Sequence, residues 1–504
     1  MTAAGRERRA APRWQLAVLA AAALLVGVLG SWRPSLWNDE GVTVSAASRN
    51  LPQIWELTGR IDAVHAVYYS LLSPWVDVFG ASPLVVRLPS ALLVAATTWV
   101  LVRLVEHWVP ARDALTAGAV FAVLPRSTWM AIEARPWALA TFLAVLATLL
   151  LVRWVERGRW LHLVGYALVL GLGIAVELYL VFLAAAQLVS MVLLWWRRRG
   201  EAAGGVPVRR LLGAVGAMMV AALVASPIVL RAVGQRDQIA SRPLSVVRWA
   251  RQLVVNQNFS GEPIGPAGWL DDLWQPAAAG MALVCWALVG LVLWRALRGR
   301  DEGLVALVVW SLPWLVLPSV LVAGWSLLDG NMYNPRYFSF GAPAMAALVG
   351  SALGLLAERW RTGVIAALVV LMVPGWLAQR TELAKSGSDW AVVAAFVAEH
   401  ARPGDGVYFA PKPATRLIAI SYPDSFTGLV DLTLRDGPDT TATLAGTDRP
   451  LASALVKAPD RIWAIWRSDD ADLERELGVF LNAGYRQESR WSSTLDTVVG
   501  LRRG

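Results

Sequence analysis

Runs of about twenty mostly apolar residues recur along the first three quarters of the chain, and a run of that length is what a helix needs to cross the hydrocarbon core of a bilayer. Eleven segments of this kind are read, centred roughly on 14–30, 84–102, 114–128, 136–152, 161–176, 178–196, 211–229, 277–294, 303–322, 338–357 and 364–379. Within hydrocarbon the backbone has to satisfy its own hydrogen bonds, so each segment is expected as a helix. Composition supports this. Of 504 residues 56% are apolar and only 16% charged, against about 25% charged in a soluble domain. A single water-soluble globule is excluded, and so is a disordered chain, which needs low hydrophobicity. The expected class is a mainly α polytopic membrane protein with about 11 transmembrane helices.

The basic excess invites a nucleic-acid reading that fails once the charges are placed. The 46 basic residues are nearly all Arg, against 37 acids. The excess lies before residue 381, whereas the last 124 residues are slightly acidic. In eleven spans the arginine clusters fall on one side: Arg6, Arg8, Arg9 and Arg13; Arg153, Arg157 and Arg159; Arg197, Arg198, Arg199, Arg209 and Arg210; Arg295, Arg298 and Arg300. Lys/Arg bias marks the cytoplasmic side, so the N-terminus is expected in the cytoplasm and the C-terminus outside a plasma (inner) membrane. Lone Cys285 excludes an intrachain disulfide framework and a Cys-based zinc site.

Two parts are expected: residues 1–380 in the membrane, with outward loops 31–83, 126–135, 231–276 and 325–337, and residues 381–504 as an extracytoplasmic α/β domain. In the second part Ser388 is read as the N-cap of an amphipathic helix. GDGVYFA and RIWAIW are read as buried strands, and DADLERELGVFLNAG as a helix closed by Gly484. Strands alternating with helices suggest a layered α/β fold.

Acids near a bilayer are costly and tend to be functional, and they cluster in the outward loops. The first loop opens with Trp37-Asn38-Asp39-Glu40 and continues through Asp62, His65 and the pair Tyr68-Tyr69. A carboxylate there can accept the proton of an attacking hydroxyl. The plainer reading of Asp39 and Glu40 is a helix cap followed by an acid that complements the dipole. The second loop carries Glu133 and Arg135 before Pro136, and Arg336 and Tyr337 stand at the start of a later span. A guanidinium can hold a phosphate bidentately, and two arginines with His65 at one depth suggest an anion. Alternatively Glu133 and Arg135 form a surface pair of little energetic weight. Glu177 and Tyr179 are read as lining the same cavity, and Trp37 as a belt residue or a stacking surface for a sugar ring. Asp470-Ala471-Asp472 is read as a cap, Gly171-Leu172-Gly173 as part of an apolar span, Asp271-Asp272 as structural or acceptor-contacting, and the sequon Asn258-Phe259-Ser260 as incidental.

On these residues the chain resembles GT-C glycosyltransferases of the protein O-mannosyltransferase and aminoarabinose-transferase type, especially actinobacterial mannosyltransferases. The motifs are Asp39-Glu40 after the first span, Asp62 to Tyr69, Phe79-Gly80 followed by Arg87-Leu88-Pro89-Ser90-Ala91, Glu133-Ala134-Arg135-Pro136-Trp137, and Pro335-Arg336-Tyr337. Relatives often carry His-Pro-Pro or Lys-Pro-Pro before the aromatic pair, where this chain has Val64-His65-Ala66-Val67. The resemblance implies a GT-C fold and an inverting transfer of a sugar, foremost mannose, from a polyprenyl-phosphate donor to a hydroxyl of a glycan, glycolipid or protein outside the cell. It assigns Asp39 as base with Glu40 beside it, and Arg135, Arg336 and His65 to the lipid phosphate. Asp62, Tyr68, Tyr69, Glu133, Tyr337 and Trp37 fall to substrate. That reading requires Asp39 and Arg135 to share one outward crevice. No cofactor is required: a divalent ion on Asp39, Glu40, Asp62 or His65 is disfavoured, since one His among scattered acids is a poor ligand set. The alternatives are an arabinosyl or other pentosyl transferase and, in another class, an ion-coupled transporter or lipid flippase. Transporters tend to show inverted repeats and mid-membrane charges, and this sequence shows neither.

Overall fold

A computed structural model describes residues 10–198, 207–236, 244–261, 264–299, 301–330, 332–468 and 472–504. Arg6, Arg8, Arg9, Arg199, Arg300, Asp470, Ala471 and parts of the expected loops 231–276 and 325–337 lie outside the described residues. The chain forms two compact units: Met1–Leu29, Arg87–Glu262 and Gly268–Ala378 in the first, and Gly30–Val86, Pro263–Ala267 and Gln379–Gly504 in the second.

The first unit is a helical bundle. Each of the eleven expected segments is helical, and among the described residues eight helices are long and apolar enough to cross a membrane. These are Pro83–Val105, Trp137–Arg157, Leu180–Arg197, Val208–Val233, Gly268–Arg298, Glu302–Leu328, Pro335–Leu355 and Glu358–Ala378. Three segments fall short of that length: Arg13–Val28, Ala111–Val123 and Trp160–Val176. The second of these stops before the predicted 128 because Pro125 follows. Proline lacks an N–H and drives its predecessor out of the α region, and Leu124 is extended at ψ 134°. The chain then makes a separate short helix, Pro125–Met130.

Small residues set the packing of this bundle, as expected where hydrocarbon supplies no hydrophobic drive between helices. Gly350 of the almost wholly buried helix Ala342–Leu355 lies against the backbone of Ala117, where a Cβ would come within 2.4 Å of the Ala117 nitrogen and Cα. Gly171 packs likewise on Ala221 and Val224, so Gly171-Leu172-Gly173 is a helix contact. Outer helices instead present bare apolar faces, with Leu223, Leu230 and Val370 exposed.

The second unit departs from the boundary expected near residue 380, because the first outward loop groups with the C-terminal part. That loop is itself helical: Asn38–Ala47, Leu51–Arg60 and Ala66–Phe79. Asn50 and Gln53 form a reciprocal capping box at the start of Leu51–Arg60. The buried Arg49 donates to the carbonyls of Pro438 and Thr443 at 2.7 and 2.6 Å. The Leu36 N–H donates to the Tyr422 hydroxyl at 2.8 Å. Gly41 abuts the Trp390 ring so closely that a Cβ would lie 2.5 Å from it. Ser388 does not cap the helix Trp390–His400. Asp389 occupies the cap position, and the Ser388 hydroxyl donates to the Leu36 carbonyl at 2.7 Å.

Among the described residues seven strands follow: β1 Gly406–Ala410, β2 Val430–Asp431, β3 Leu434–Asp436, β4 Thr447–Asp448, β5 Arg461–Arg467, β6 Tyr485–Ser492 and β7 Asp496–Arg503. The main sheet has the order β2-β1-β5-β7-β6, parallel between β2, β1 and β5 and antiparallel beyond, and β3 pairs with β4. Both expected strands, β1 and β5, are buried runs in the sheet interior, and Gly406 lies opposite Ile462. Helix Leu473–Asn482 covers the sheet with Leu477 and Phe480, and Gly484 closes it at φ +87°. Its Glu476 accepts from the Tyr408 hydroxyl at 2.7 Å and from the Trp466 indole at 3.0 Å.

Replacing Gly350 with Leu should lower the thermal unfolding midpoint of the detergent-purified protein, because overpacking a close contact costs about 1–3 kcal/mol. Gly363→Leu, where a Cβ would meet nothing within 4 Å, is the control and should leave the midpoint unchanged. Equal midpoints for the two variants would remove the contact from the account.

Candidate active site

The expected site residues divide between the two units. Trp37, Asp39, Glu40, Asp62, His65, Tyr68 and Tyr69 belong to the second; Glu133, Arg135, Arg336 and Tyr337 belong to the first.

In the second unit Trp37 is the N-cap residue of Asn38–Ala47 but makes no side-chain cap, and Asp39 and Glu40 stand in the first turn. The plainer reading therefore holds for the dipole and fails for the cap. Glu40 is fully buried while Asp39 is half-exposed, so Asp39 is the acid of the pair that a substrate can reach. The Asp39 carbonyl accepts from the Thr43 hydroxyl at 3.1 Å.

Asp62 ends the preceding extended stretch in a left-handed conformation, φ +61°, unusual for a residue with a Cβ. This turn starts the helix Ala66–Phe79 with His65 at its N-cap. It also brings the Asp62 carboxylate to the Tyr69 hydroxyl, which donates to it, and to His65 Nε2 at 3.8 Å. The His65 and Tyr69 rings meet edge-on at 5.9 Å, and Tyr68 lies 6.2 Å from Tyr69. Asp62, His65 and Tyr69 thus form one hydrogen-bonded and charged group.

In the first unit Arg135 and Glu133 are buried just ahead of helix Trp137–Arg157, whose N-cap is Pro136. The Glu133 carbonyl accepts from the Ser90 hydroxyl at 2.7 Å, which ties the Arg87-to-Ala91 motif to the Glu133-to-Trp137 motif. Arg336 sits in a 3₁₀ turn, Pro335–Gly341, started by the Asn334 side chain. Its guanidinium lies over the Trp137 ring at 5.8 Å and the Tyr337 ring at 5.6 Å. Tyr337 stacks on Tyr179 at 5.1 Å, and Tyr179 donates to the Met332 carbonyl at 2.7 Å.

Glu177 closes this group. It lies in the turn between helices Trp160–Val176 and Leu180–Arg198 and is buried. Burial pushes its carboxyl up to about 8, only partly offset by the Tyr179 N–H and by the positive charges of Arg135 and Arg336. Near neutral pH it is largely protonated and adds little negative charge beside the two guanidiniums.

An apolar cavity of about 420 Å³ adjoins the group, lined by Leu178, Tyr179, Phe182, Leu230, Trp325 and Met332 among others. Tyr179 is common to the cavity wall and to the aromatic stack around Arg336. Trp137 carries Arg336 and was not singled out in the sequence; it lies inside a quoted motif but far along the chain from its partner.

Asn258 is fully buried, so the sequon offers no accessible acceptor. Asp271 and Asp272 are exposed in the first turn of Asp271–Arg298, where they complement the helix dipole. Among the described residues no three His, Cys, Asp or Glu side chains group so as to hold a metal ion.

The family described as dolichyl-phosphate-mannose-protein mannosyltransferase matches residues 67–230. Similar solved structures include ArnT from Cupriavidus metallidurans bound to undecaprenyl phosphate, at 15% identity and TM-score 0.59, covering 97% of this chain and 98% of that one. They also include the Archaeoglobus fulgidus oligosaccharyltransferase tethered to an acceptor peptide, at 11% identity and TM-score 0.51, covering 96% and 73%. No curated protein matches by sequence. The family match covers about a third of the chain, and the likeness to the solved structures, at 15% and 11% identity, is one of fold. The chain's fold is shared with ArnT along nearly the whole length of both chains.

The protein should lose stability as pH rises from about 4.5 to about 8. Over that interval an unfolded Glu177 has released its proton while the folded one keeps it. Glu177→Gln should flatten this part of the profile, by on the order of a few kcal/mol at pH 8. The measurement is the thermal midpoint of both proteins between pH 5 and 9; parallel profiles would contradict the assignment.

Proposed function

We propose that the enzyme transfers a sugar from a polyprenyl-phosphate carrier to a hydroxyl acceptor at the extracytoplasmic face, inverting the anomeric centre. The observation that carries this reading is the pairing of Arg135 and Arg336 with an adjoining apolar cavity through the shared Tyr179. A donor for such a place has an anionic head and a long apolar tail, which describes a prenyl phosphate. The solved ArnT structure bound to undecaprenyl phosphate lends support, as does an oligosaccharyltransferase structure in complex with dolichol-phosphate. The family description favours mannose as the sugar. A pentosyl donor is the second reading, favoured by the aminoarabinose-transferase resemblance.

In the proposed reaction the acceptor oxygen attacks C1 of the sugar while its proton passes to the Asp39 carboxylate. The bond between C1 and the phosphate oxygen breaks, and lipid monophosphate leaves with the electron pair. A hydroxyl is far too weak an acid to lose its proton unaided near neutral pH, which is why a general base is needed. The charge gathering on the leaving phosphate is stabilised by Arg135 and Arg336, donors fixed in place before the reaction begins. Asp62, held by Tyr69 and facing His65, is assigned to substrate, and His65 to the phosphate. Glu40, buried beside Asp39, contributes to the field around the base. An acceptor is required on the side of the donor, and the C-terminus is assigned outside with the N-terminus in the cytoplasm.

Incubating purified enzyme with a panel of polyprenyl-phosphate sugars should show one consumed, polyprenyl-phosphate mannose first among them. Asp39→Asn should reduce transfer by roughly 10²–10⁴-fold, the usual worth of a general base, with the unfolding midpoint retained. Arg135→Gln should lower kcat/KM chiefly through the donor. Full transfer by Asp39→Asn would overturn the base assignment, and consumption of no prenyl-phosphate sugar would overturn the donor class.

A further inference from the structure

The end of the helical bundle remote from Arg135 holds a second, unrelated feature. Helix Trp137–Arg157 begins beside Arg135 and ends at Arg157, so at about 1.5 Å per residue its two ends stand roughly 30 Å apart. At the far end a cavity of about 720 Å³ is lined by Arg13, Arg103, Arg153, Arg157, Glu106 and His107 among others. Arg103 pairs with Glu106 at 3.0 Å, and His107 pairs with Glu156 at 2.9 Å. Those contacts occupy both carboxylates. Arg13, Arg153 and Arg157 have no ion-pair partner among the described residues.

Arginines at this level of a bundle have a general explanation. They complement helix C-termini, and cytoplasmic loops are rich in them. Neither effect aims side chains from three different helices into one cavity. Arg153 is repelled by Arg157 and Arg103 and offset only in part by Glu156, and holding like charges together costs energy that an anion between them relieves. Arginine in particular offers a fork that matches phosphate oxygens. Basic pockets between transmembrane helices suit phosphate head groups.

We propose that this cavity is a second phosphate-binding site, distinct from the donor site, taking a phosphate diester or a diphosphate between Arg13, Arg103, Arg153 and Arg157. The ligand is either the head group of an anionic phospholipid or a phosphate compound from the aqueous phase, and the two sources separate by experiment. Full-length protein is reconstituted in phosphatidylcholine discs, with and without phosphatidylglycerol or cardiolipin, and retained lipid is read by native mass spectrometry. In parallel, inorganic phosphate and pyrophosphate are titrated calorimetrically into protein held in neutral detergent.

Retention of the anionic lipids over phosphatidylcholine supports the site with a lipid occupant; binding of pyrophosphate supports it with a soluble one. In either case the double substitution Arg153→Gln with Arg157→Gln should weaken binding at least tenfold. Arg197→Gln, an exposed arginine outside the cavity, should leave it unchanged. Hydrogen exchange on the unsubstituted protein supplies a second readout, with protection expected at residues 103–113 and 150–157 when the same probes are added. Preference for no anionic probe, or binding insensitive to the double substitution, or protection elsewhere, would overturn the proposal.

Discussion

A peptide backbone surrounded by hydrocarbon must close its own hydrogen bonds, and this requirement arranges everything else in the molecule. It commits the apolar segments to helices and drives polar side chains to the ends of those helices, where irregular backbone is tolerated. Arg135 and Glu133 precede a helix, Glu177 lies in a turn between two, and Arg336 sits in a 3₁₀ turn before another. These polar groups thus stand at the interruptions, and the helices hold those interruptions in place.

Charge balance in the first unit follows from burial. A carboxyl ionised beside Arg135 and Arg336 would neutralise the very cations proposed to take a phosphate. Desolvation keeps Glu177 mostly protonated near neutral pH, so it can remain in the group without competing. The rings of Trp137 and Tyr337 lie against the Arg336 guanidinium, and Tyr179 stacks on Tyr337.

Much of this was legible in the sequence, for reasons that also mark where reading stops. Apolar runs located all eleven helical segments, since length and hydrophobicity are properties of the segment itself. Helix ends were less legible: the segment expected to reach 128 stops at Val123 because Pro125 dominates locally. Strands β1 and β5 and the closing role of Gly484 were read correctly from uninterrupted apolar runs and a glycine. Ser388 was misread as a cap because its bond goes to Leu36, more than three hundred residues away. The grouping of residues 30–86 with the C-terminal part depends on contacts such as Arg49 with Pro438, which no local pattern announces. Glu177 was suspected of lining a cavity, but its closeness to Arg135 and Arg336 joins three distant stretches of chain.

Position 62 bears two independent demands. Its backbone lies where L-residues are rare, and asparagine and aspartate are among the few with a Cβ that visit it readily. Its side chain must also accept the Tyr69 hydroxyl and face the His65 ring. Glycine would meet the first demand and forfeit the second, glutamate would reverse that balance, and asparagine would keep the shape while discarding the negative charge. Aspartate alone meets both, so the tolerance of this turn to replacement is set jointly by conformation and by electrostatics.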